Sequence, residues 1–482
     1  MLPGMDAPRW TALLAGWQSG TGPLYARLSA HLRGAVAGGQ LAPGETLPAE
    51  RALGTLLGVS RSTVVAAYDD LVAGDWITRR RGSGTRVAAG VPRQARALEL
   101  RSPVRGGPLR PGGTGDDLDL TVAVPLLSDA QRAELSGAVA GAFAESLYHP
   151  LGLPELRAEL AALYTGGGLP TTPEQVVVTS GAQQAIALLA GALLRPGDAA
   201  VLETPTYFGA IDVFRAAGAT LRGVPVTPQG AAPEEFAAAV RAHSPRLAFL
   251  TPTFQNPTGA VLPTHARQRL AATIAEAGLP TIEDDTLIDL GFGENAPPPR
   301  LACFAPQAPI FNVGSLSKLY WAGLRVGWLR LPGGEDTRGL GRVVMQAKTL
   351  ADFGGGLPSQ HLALHLLRHL PRLRAERRAA VTPARDLLAG LLRAELPDWQ
   401  FTLPQGGQFL WVELPTRSAS SFIHSAARRG VRLFPGASMD VGDLPDAYLR
   451  LPFTLDPAQL PEAVGRLRAA WHEHQLRGER LA

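Results

Sequence analysis

The sequence predicts a multidomain chain. A small, mainly α-helical module closed by a β-hairpin comes first, then a linker, then an α/β domain on a mixed and mostly parallel sheet, and last a small α+β domain. Three observations predict it. Residues 20–88 alternate short amphipathic helical stretches with Gly turns, residues 89–117 lose every hydrophobic period, and residues 118–482 alternate strand-like with helix-like apolar runs. Within that last portion the change of pattern is expected near residue 370, giving domains at 118–370 and 371–482.

Composition sets bounds on function. With 482 residues and 45% hydrophobic content there is ample material for several buried cores. The 46 basic and 42 acidic residues leave a formal charge of only +4, so no overall positive field advertises nucleic acid. The basic residues are unevenly spread, however. Arg79, Arg80 and Arg81 are consecutive, and Arg93, Arg96, Arg101, Arg105 and Arg110 follow closely. The single cysteine, Cys303, excludes an internal disulfide and a multi-cysteine metal site. MLPGMDAPRW at the start has no basic-then-apolar signal, and the longest apolar run, residues 185–194, is too short to span a bilayer. A cytoplasmic protein with no membrane partner and no metal is expected.

The first helix is marked by Leu24, Leu28, Leu32 and Val36 at i, i+4 spacing and stops at Gly38 and Gly39. Pro43-Gly44 is a turn, Pro48 precedes a second helix with Leu53, Leu56 and Leu57, and Gly58 allows a sharp turn into a third. Ser60 is placed to cap that third helix, which turns Val64, Val65, Tyr68 and Leu71 inward and leaves Arg61, Ser62 and Thr63 at its exposed start. Strands at residues 76–80 and 85–87 close the module around Gly82-Ser83-Gly84. A helix pair of this kind, opening on Arg and hydroxyl residues, is what a major-groove reader needs, and a basic hairpin suits a phosphate backbone. Residues 23–87 closely resemble the winged helix-turn-helix of the GntR family. That resemblance implies that Arg51, Ser60, Arg61 and Thr63 face double-stranded DNA, with Gly82 at the wing tip.

Residues 89–117 are rich in Pro, Gly and Arg and read as a tether, which as a flexible chain would reach about 30 Å on average. The α/β portion opens with SLYHPLG and a helix carrying Leu156, Leu160 and Leu163. QVVVTSGAQQAIALLAGALL reads as strand, small-residue turn and apolar helix, so amides at Gly181, Ala182 and Gln183 point at a candidate phosphate; strand followed by Ser-Gly is nonetheless common. AAVLETPTYFG brings Tyr207 to a strand end, where it reads equally as a stacking aromatic or a core tyrosine. Asn256 in NPTG is a candidate donor to a ring hydroxyl, or part of an ordinary turn. The carboxylates Glu283, Asp284 and Asp285 end a buried-looking strand and are costly there unless paired. They are contiguous with no His nearby, which argues against a metal.

GSLSKLYWAGLRVGW, residues 314–328, sets Lys318 between Ser315 and Ser317 with Arg325 beyond. Alone it reads equally as a solvated lysine in a Gly/Ser loop. Phosphate loop, aromatic, Asn, Asp, Lys and Arg do however follow one another in order, each at a strand's carboxyl end. Residues 121–477 resemble the fold-type I aminotransferases that use pyridoxal 5′-phosphate. The resemblance implies Lys318 as the Schiff-base lysine, Asp284 as partner of the pyridine nitrogen, Asn256 as partner of the ring hydroxyl and Tyr207 stacked on the ring. Gly181, Ala182, Gln183, Ser315, Ser317 and Arg325 would hold the phosphate. Tyr148 would reach the phosphate of a partner subunit, which implies a homodimer.

In the closing domain, AYLRLPF sets Arg450 on a short apolar strand. A buried arginine wants an anion, and the same resemblance implies the α-carboxylate of an amino-acid-like ligand. Together the two modules resemble the MocR family of transcriptional regulators, which implies operator reading by a dimer whose large domain senses a ligand. One departure stands out. Where that family continues the double Asp with tyrosine, this sequence has Thr286, which weakens the case for efficient turnover while leaving cofactor binding intact. Two functions follow: a cofactor-dependent regulator with at most partial transamination, or a working aminotransferase with an appended DNA-binding module.

Overall fold

The computed structural model describes residues 7–14, 16–18, 23–37, 40–41, 44–73, 76–80, 84–88, 117–125, 127–139, 147–293, 296–416, 418–442 and 444–479. The chain separates into two units, Met1–Leu98 and Glu99–Ala482. Most of the expected tether, residues 89–116, and the expected wing tip at Gly82 lie outside the described residues.

The first unit contains α1 (Ala7–Leu13), α2 (Leu24–Ala37), α3 (Glu50–Leu57) and α4 (Arg61–Ala73), closed by the antiparallel hairpin β1 (Ile77–Arg80) and β2 (Gly84–Val87). α3 ends because Gly58 adopts φ +67°, the left-handed turn that an L side chain resists, and its N–H returns to Gly54 O. Ser60 Oγ accepts from Thr63 N at 3.2 Å and so caps α4. Leu28, Leu32, Leu53, Val64, Ala67, Tyr68 and Leu71 form the core, and Tyr68 is fixed by donating its hydroxyl to Pro48 O at 2.9 Å. Trp10, Leu14 and Trp17 join the same core. The unit's packing thus includes residues before position 20, whose aromatic side chains have no helical period long enough to be read as an element.

The second unit is organised by β3 (Leu118–Leu120), β4 (Val176–Thr179), β5 (Ala199–Thr204), β6 (Thr220–Thr227), β7 (Gly230–Ala231), β8 (Leu247–Leu250), β9 (Thr281–Asp284), β10 (Ile310–Ser315) and β11 (Gly327–Arg330). Four more strands follow: β12 (Gln400–Phe401), β13 (Phe409–Glu413), β14 (Val431–Pro435) and β15 (Tyr448–Pro452). The large sheet has the order β4-β11-β10-β9-β8-β5-β6-β7. β10, β9, β8, β5 and β6 run parallel, while β11 is antiparallel to both β10 and β4.

Strand alternation builds two cores. Val176, Val178, Val201, Ala248, Leu250 and Ile310 meet the helices Pro154–Gly166, Thr264–Ala277 and Leu357–Arg368 on one face. Val177, Ala200, Leu202, Phe249, Phe311 and Val313 meet Ala182–Leu193, Phe208–Ala216 and Arg338–Asp352 on the other. The small sheet has the order β12-β13-β15-β14-β3 and packs on Leu370–Glu395, Ala419–Arg428 and Leu460–Glu479. β3, expected at the start of the large domain, instead pairs parallel with β14 (Leu118 with Val431, Asp119 with Arg432) and so belongs to the small sheet.

The same alternation sorts the three carboxylates. Glu283 and Asp285 turn to the first face, where Glu283 accepts from Leu301 N (2.7 Å) and Asn312 Nδ2 (2.8 Å) and Asp285 binds Arg300 Nε (2.7 Å). Asp284 is left alone for the other side. Asp285 and Arg300 are a buried pair, so Asp285→Ala strands the guanidinium and should destabilise the second unit by about 3–5 kcal/mol. Urea denaturation of the full chain followed by tryptophan fluorescence measures it.

Candidate functional site

The carboxyl ends of β4, β5, β8, β9 and β10 lie on one edge of the sheet, and the turns that follow them supply the site. β11 makes this possible: Gly327 pairs with Thr179 of β4 and with Ser315 of β10, so the loops after those two strands are drawn together. A Cβ on Gly327 would stand 2.6 Å from Gly181 C and 2.8 Å from Ala182 N. Gly314 serves another contact, since a Cβ there would meet the Trp328 ring at 2.3 Å. The glycines of the Lys318 stretch thus admit protein backbone and side chain.

A cavity of ≈ 640 Å³ opens at this edge, lined by Ala182, Gln183, Tyr207, Asn256, Asp284, Ser315, Ser317, Lys318, Arg325 and Arg450 among others. One end is built for an anion. Gly181, at φ +113°, caps the helix Ala182–Leu193, whose first amides are free of intrahelical partners. Arg325 donates to Ser180 O at 2.5 Å, and a Cβ on Gly181 would stand 3.0 Å from its Nη2. Ser315 Oγ donates to Val326 O at 3.0 Å and lies 3.0 Å from Ser317 Oγ, and both hydroxyls line the cavity with Arg325.

At the cavity floor Asp284 Oδ1 accepts from Thr286 N at 2.9 Å. Burial pushes its carboxyl up to about 6, against the pull of Thr286 and Lys318. Tyr207 begins the helix Phe208–Ala216, and its hydroxyl donates to Gln183 Oε1 at 2.9 Å. Asn256 Oδ1 is buried with no hydrogen-bond partner, a cost that a polar ligand atom would relieve. Lys318 Nζ donates to Ala123 O at 2.9 Å. Burial first, then the charges of Arg450, Arg377 and Arg325, push its amine down to about 8.

Arg450 on β15 is buried, donates to Thr121 O at 2.8 Å and leaves Nε unpartnered. No carboxylate among the described residues forms an ion pair with it. Instead Phe409 (4.4 Å) and Phe434 (4.5 Å) face its guanidinium. The donor set therefore fits pyridoxal 5′-phosphate: an anion cradle at one end, a lone carboxylate for a protonated ring nitrogen, an unsatisfied amide, and an amine of depressed pKa.

Thr121, Ala123, Phe409 and Arg377 were not legible as site residues. The first two act through backbone carbonyls, Phe409 is an unremarkable strand aromatic, and Arg377 lies on the long helix Leu370–Glu395 and acts through charge. Gln408 joins them by donating to Lys318 O at 3.0 Å. Tyr148 does not line this cavity. It is 81% exposed and meets Phe353 edge-on at 5.8 Å.

In the first unit, Arg51, Ser60 and Arg61 are exposed and Thr63 is half-buried at the start of α4. Arg61 (3.1 Å) and Arg79 (3.3 Å) share the Glu50 carboxylate, which groups two cations beside the helix pair.

Two outcomes follow from this geometry. Gly327→Ala pushes the anion cradle away from the Lys318 loop and should weaken cofactor affinity at least about tenfold, roughly 1.4 kcal/mol, in an absorbance titration. For Lys318 to capture a carbonyl its amine must be neutral, so on that reading capture of the cofactor should quicken as pH rises, half-maximally near pH 8, in stopped-flow absorbance.

The family model for aminotransferase class I and II matches residues 119–467, and that for bacterial regulatory proteins of the gntR family matches residues 24–87. A 2-aminoadipate transaminase of Thermus thermophilus is 35% identical over 62% of this chain and 75% of its own. The HTH-type transcriptional regulator TauR of Rhodobacter capsulatus is 29% identical over 94% of this chain and 97% of its own. Among solved structures, LysN, an α-aminoadipate aminotransferase from Thermus thermophilus complexed with N-(5′-phosphopyridoxyl)-L-leucine, superposes with a TM-score of 0.67 at 30% identity, over 73% of this chain and 92% of that one. Joined to a GntR-type DNA-binding domain, and with pyridoxal 5′-phosphate as its cofactor, the chain belongs to the class I and II aminotransferase family.

Proposed function

We propose that the chain is a transcriptional regulator of the MocR type, in which Lys318 holds pyridoxal 5′-phosphate and an amino compound with a carboxylate, bound at Arg450, changes operator binding. The observation that carries this reading is that the TauR relative matches both modules along 94% of the chain, whereas the transaminase relative matches only 62%. Arg51, Ser60, Arg61 and Thr63 are proposed to meet the operator, with Gly82 on the wing. When bound, the cofactor supplies an aldehyde for amines and a ring that withdraws electrons. Gly181, Ala182, Gln183, Ser315, Ser317 and Arg325 would hold its phosphate, Asp284 would keep its ring nitrogen protonated, Asn256 would meet its hydroxyl, Tyr207 would pack on its ring and Arg450 would orient the amino compound.

A homodimer is part of the proposal. Val343 and Leu350 lie two turns apart on the helix Arg338–Asp352, Phe353 caps it and Tyr148 touches Phe353. All four are exposed, Leu350 at 88%, and together they make an apolar face suited to a second copy. From there Tyr148 would reach the partner's phosphate. A second reading, a working aminotransferase, is favoured by the completeness of the Lys318, Asp284, Asn256 and Arg450 set.

The test joins DNA binding to ligand. Fluorescence anisotropy with the DNA upstream of the chain's own gene should show affinity that changes on adding pyridoxal 5′-phosphate and a panel of amino acids; unchanged affinity together with sustained transamination would select the second reading. Arg61→Ala should cost about 1–3 kcal/mol of operator binding and leave the cofactor's absorbance intact. Leu350→Arg with Phe353→Glu should yield a monomer in sedimentation velocity, with weakened cofactor binding.

A further inference from the structure

Two backbone carbonyls of one short segment meet the two cations that ligand capture depends on. Directly after β3 the chain crosses the cavity, where Thr121 O accepts from Arg450 Nη2 at 2.8 Å and Ala123 O accepts from Lys318 Nζ at 2.9 Å. Thr121, Val122 and Ala123 all line the cavity, and Thr121 and Ala123 are buried. The segment is anchored at its root. Asp119 Oδ1 accepts from Thr121 N at 2.8 Å and from Thr121 Oγ1 at 2.6 Å, and Asp119 Oδ2 lies 3.4 Å from Arg432 Nη1 on the paired strand β14.

We propose that residues 121–123 form a strap that reads the covalent state of Lys318, with Asp119 as its positioning residue. As a free amine or ammonium, Nζ carries two or three protons and donates to Ala123 O. When Nζ bonds to a carbonyl carbon, water is lost, Nζ keeps at most one proton, and the double bond fixes that proton's direction. Ala123 O then loses its donor, and a buried carbonyl without one is unfavourable, so the strap loosens.

A primary amine arriving at the same carbon reverses this. Its C–N bond forms as the bond to Lys318 breaks, its two protons pass to Nζ, and Ala123 O regains a donor. No oxidant or reductant is consumed. A carboxylate on the incoming amine also engages Arg450, the cation that holds Thr121 O, so the strap is read at both ends. This inference rests on the proposed attachment of pyridoxal 5′-phosphate to Lys318.

Hydrogen exchange of the full chain, read by mass spectrometry over residues 118–125, tests it. Adding pyridoxal 5′-phosphate should speed exchange there by roughly fivefold or more, although cofactor binding slows exchange elsewhere. Saturating methylamine, which has no carboxylate, should restore the slow rate through Lys318 alone. Lys318→Ala should exchange fast with or without cofactor, and Asp119→Ala should be fast in all states while keeping the cofactor's absorbance. If that absorbance forms in the wild type while exchange over residues 118–125 stays the same, or if Lys318→Ala is as slow as cofactor-free wild type, the strap is overturned and the cofactor reading stands. If no absorbance dependent on Lys318 forms, the cofactor reading itself fails and the strap fails with it.

Discussion

The site depends on one antiparallel strand set among parallel ones. β11 enters between β4 and β10, and Gly327 at its start is the register partner of both Thr179 and Ser315. That single residue has to lie against the backbone of Gly181 and Ala182, and only a hydrogen at its Cα leaves room. The anion cradle and the lysine loop arise from strands β4 and β10, separated along the chain by the whole parallel sheet. Their convergence is a consequence of backbone packing, and the hydroxyls and guanidinium can act together only because of it.

Electrostatics follow from that enclosure. Lys318, Arg325, Arg377 and Arg450 bring positive charge to a buried region in which Asp284 is the facing carboxylate. Removing water disfavours the charged forms of Lys318 and Asp284, which is why the lysine falls to about 8 while Asp284 rises to about 6. The usual remedy for a buried arginine is a carboxylate. Arg450 is stabilised instead by the π-faces of Phe409 and Phe434 and by one backbone carbonyl, an arrangement that tolerates the cation without neutralising it. Its charge therefore remains available to a ligand carboxylate, whereas Arg300, clamped by Asp285, contributes only to stability.

What could be read from the sequence was what local rules control. Strand period and turn chemistry put Gly181, Tyr207, Asn256, Asp284 and Lys318 at strand ends, and the structure gathers all of them but Gly181 into the cavity lining, with Gly181 capping the helix beside it. The alternation that isolates Asp284 from Glu283 and Asp285 is likewise local. The position of β3 was not legible, because three residues carry too little pattern to choose between two sheets, and pairing with β14 is set more than three hundred residues away. Nor were Thr121 and Ala123, since any residue type presents the same carbonyl. Trp10 and Trp17 were missed for the opposite reason: they are distinctive side chains on a segment too short to show a period.

On the proposed reading, exchange of one amine for another at a carbonyl carbon needs a nucleophilic amine and a site for the carboxylate, and Lys318 and Arg450 at the cavity would meet those needs. The position next to the double Asp holds Thr286, whose backbone N–H is committed to Asp284. Thr286 thus braces the carboxylate that supports the ring, while its short hydroxyl is a weaker acid than a phenol. On the proposed regulator reading, a site that favoured capture and exchange over completed turnover would keep its ligand long enough for occupancy to carry information to the attached DNA-binding domain.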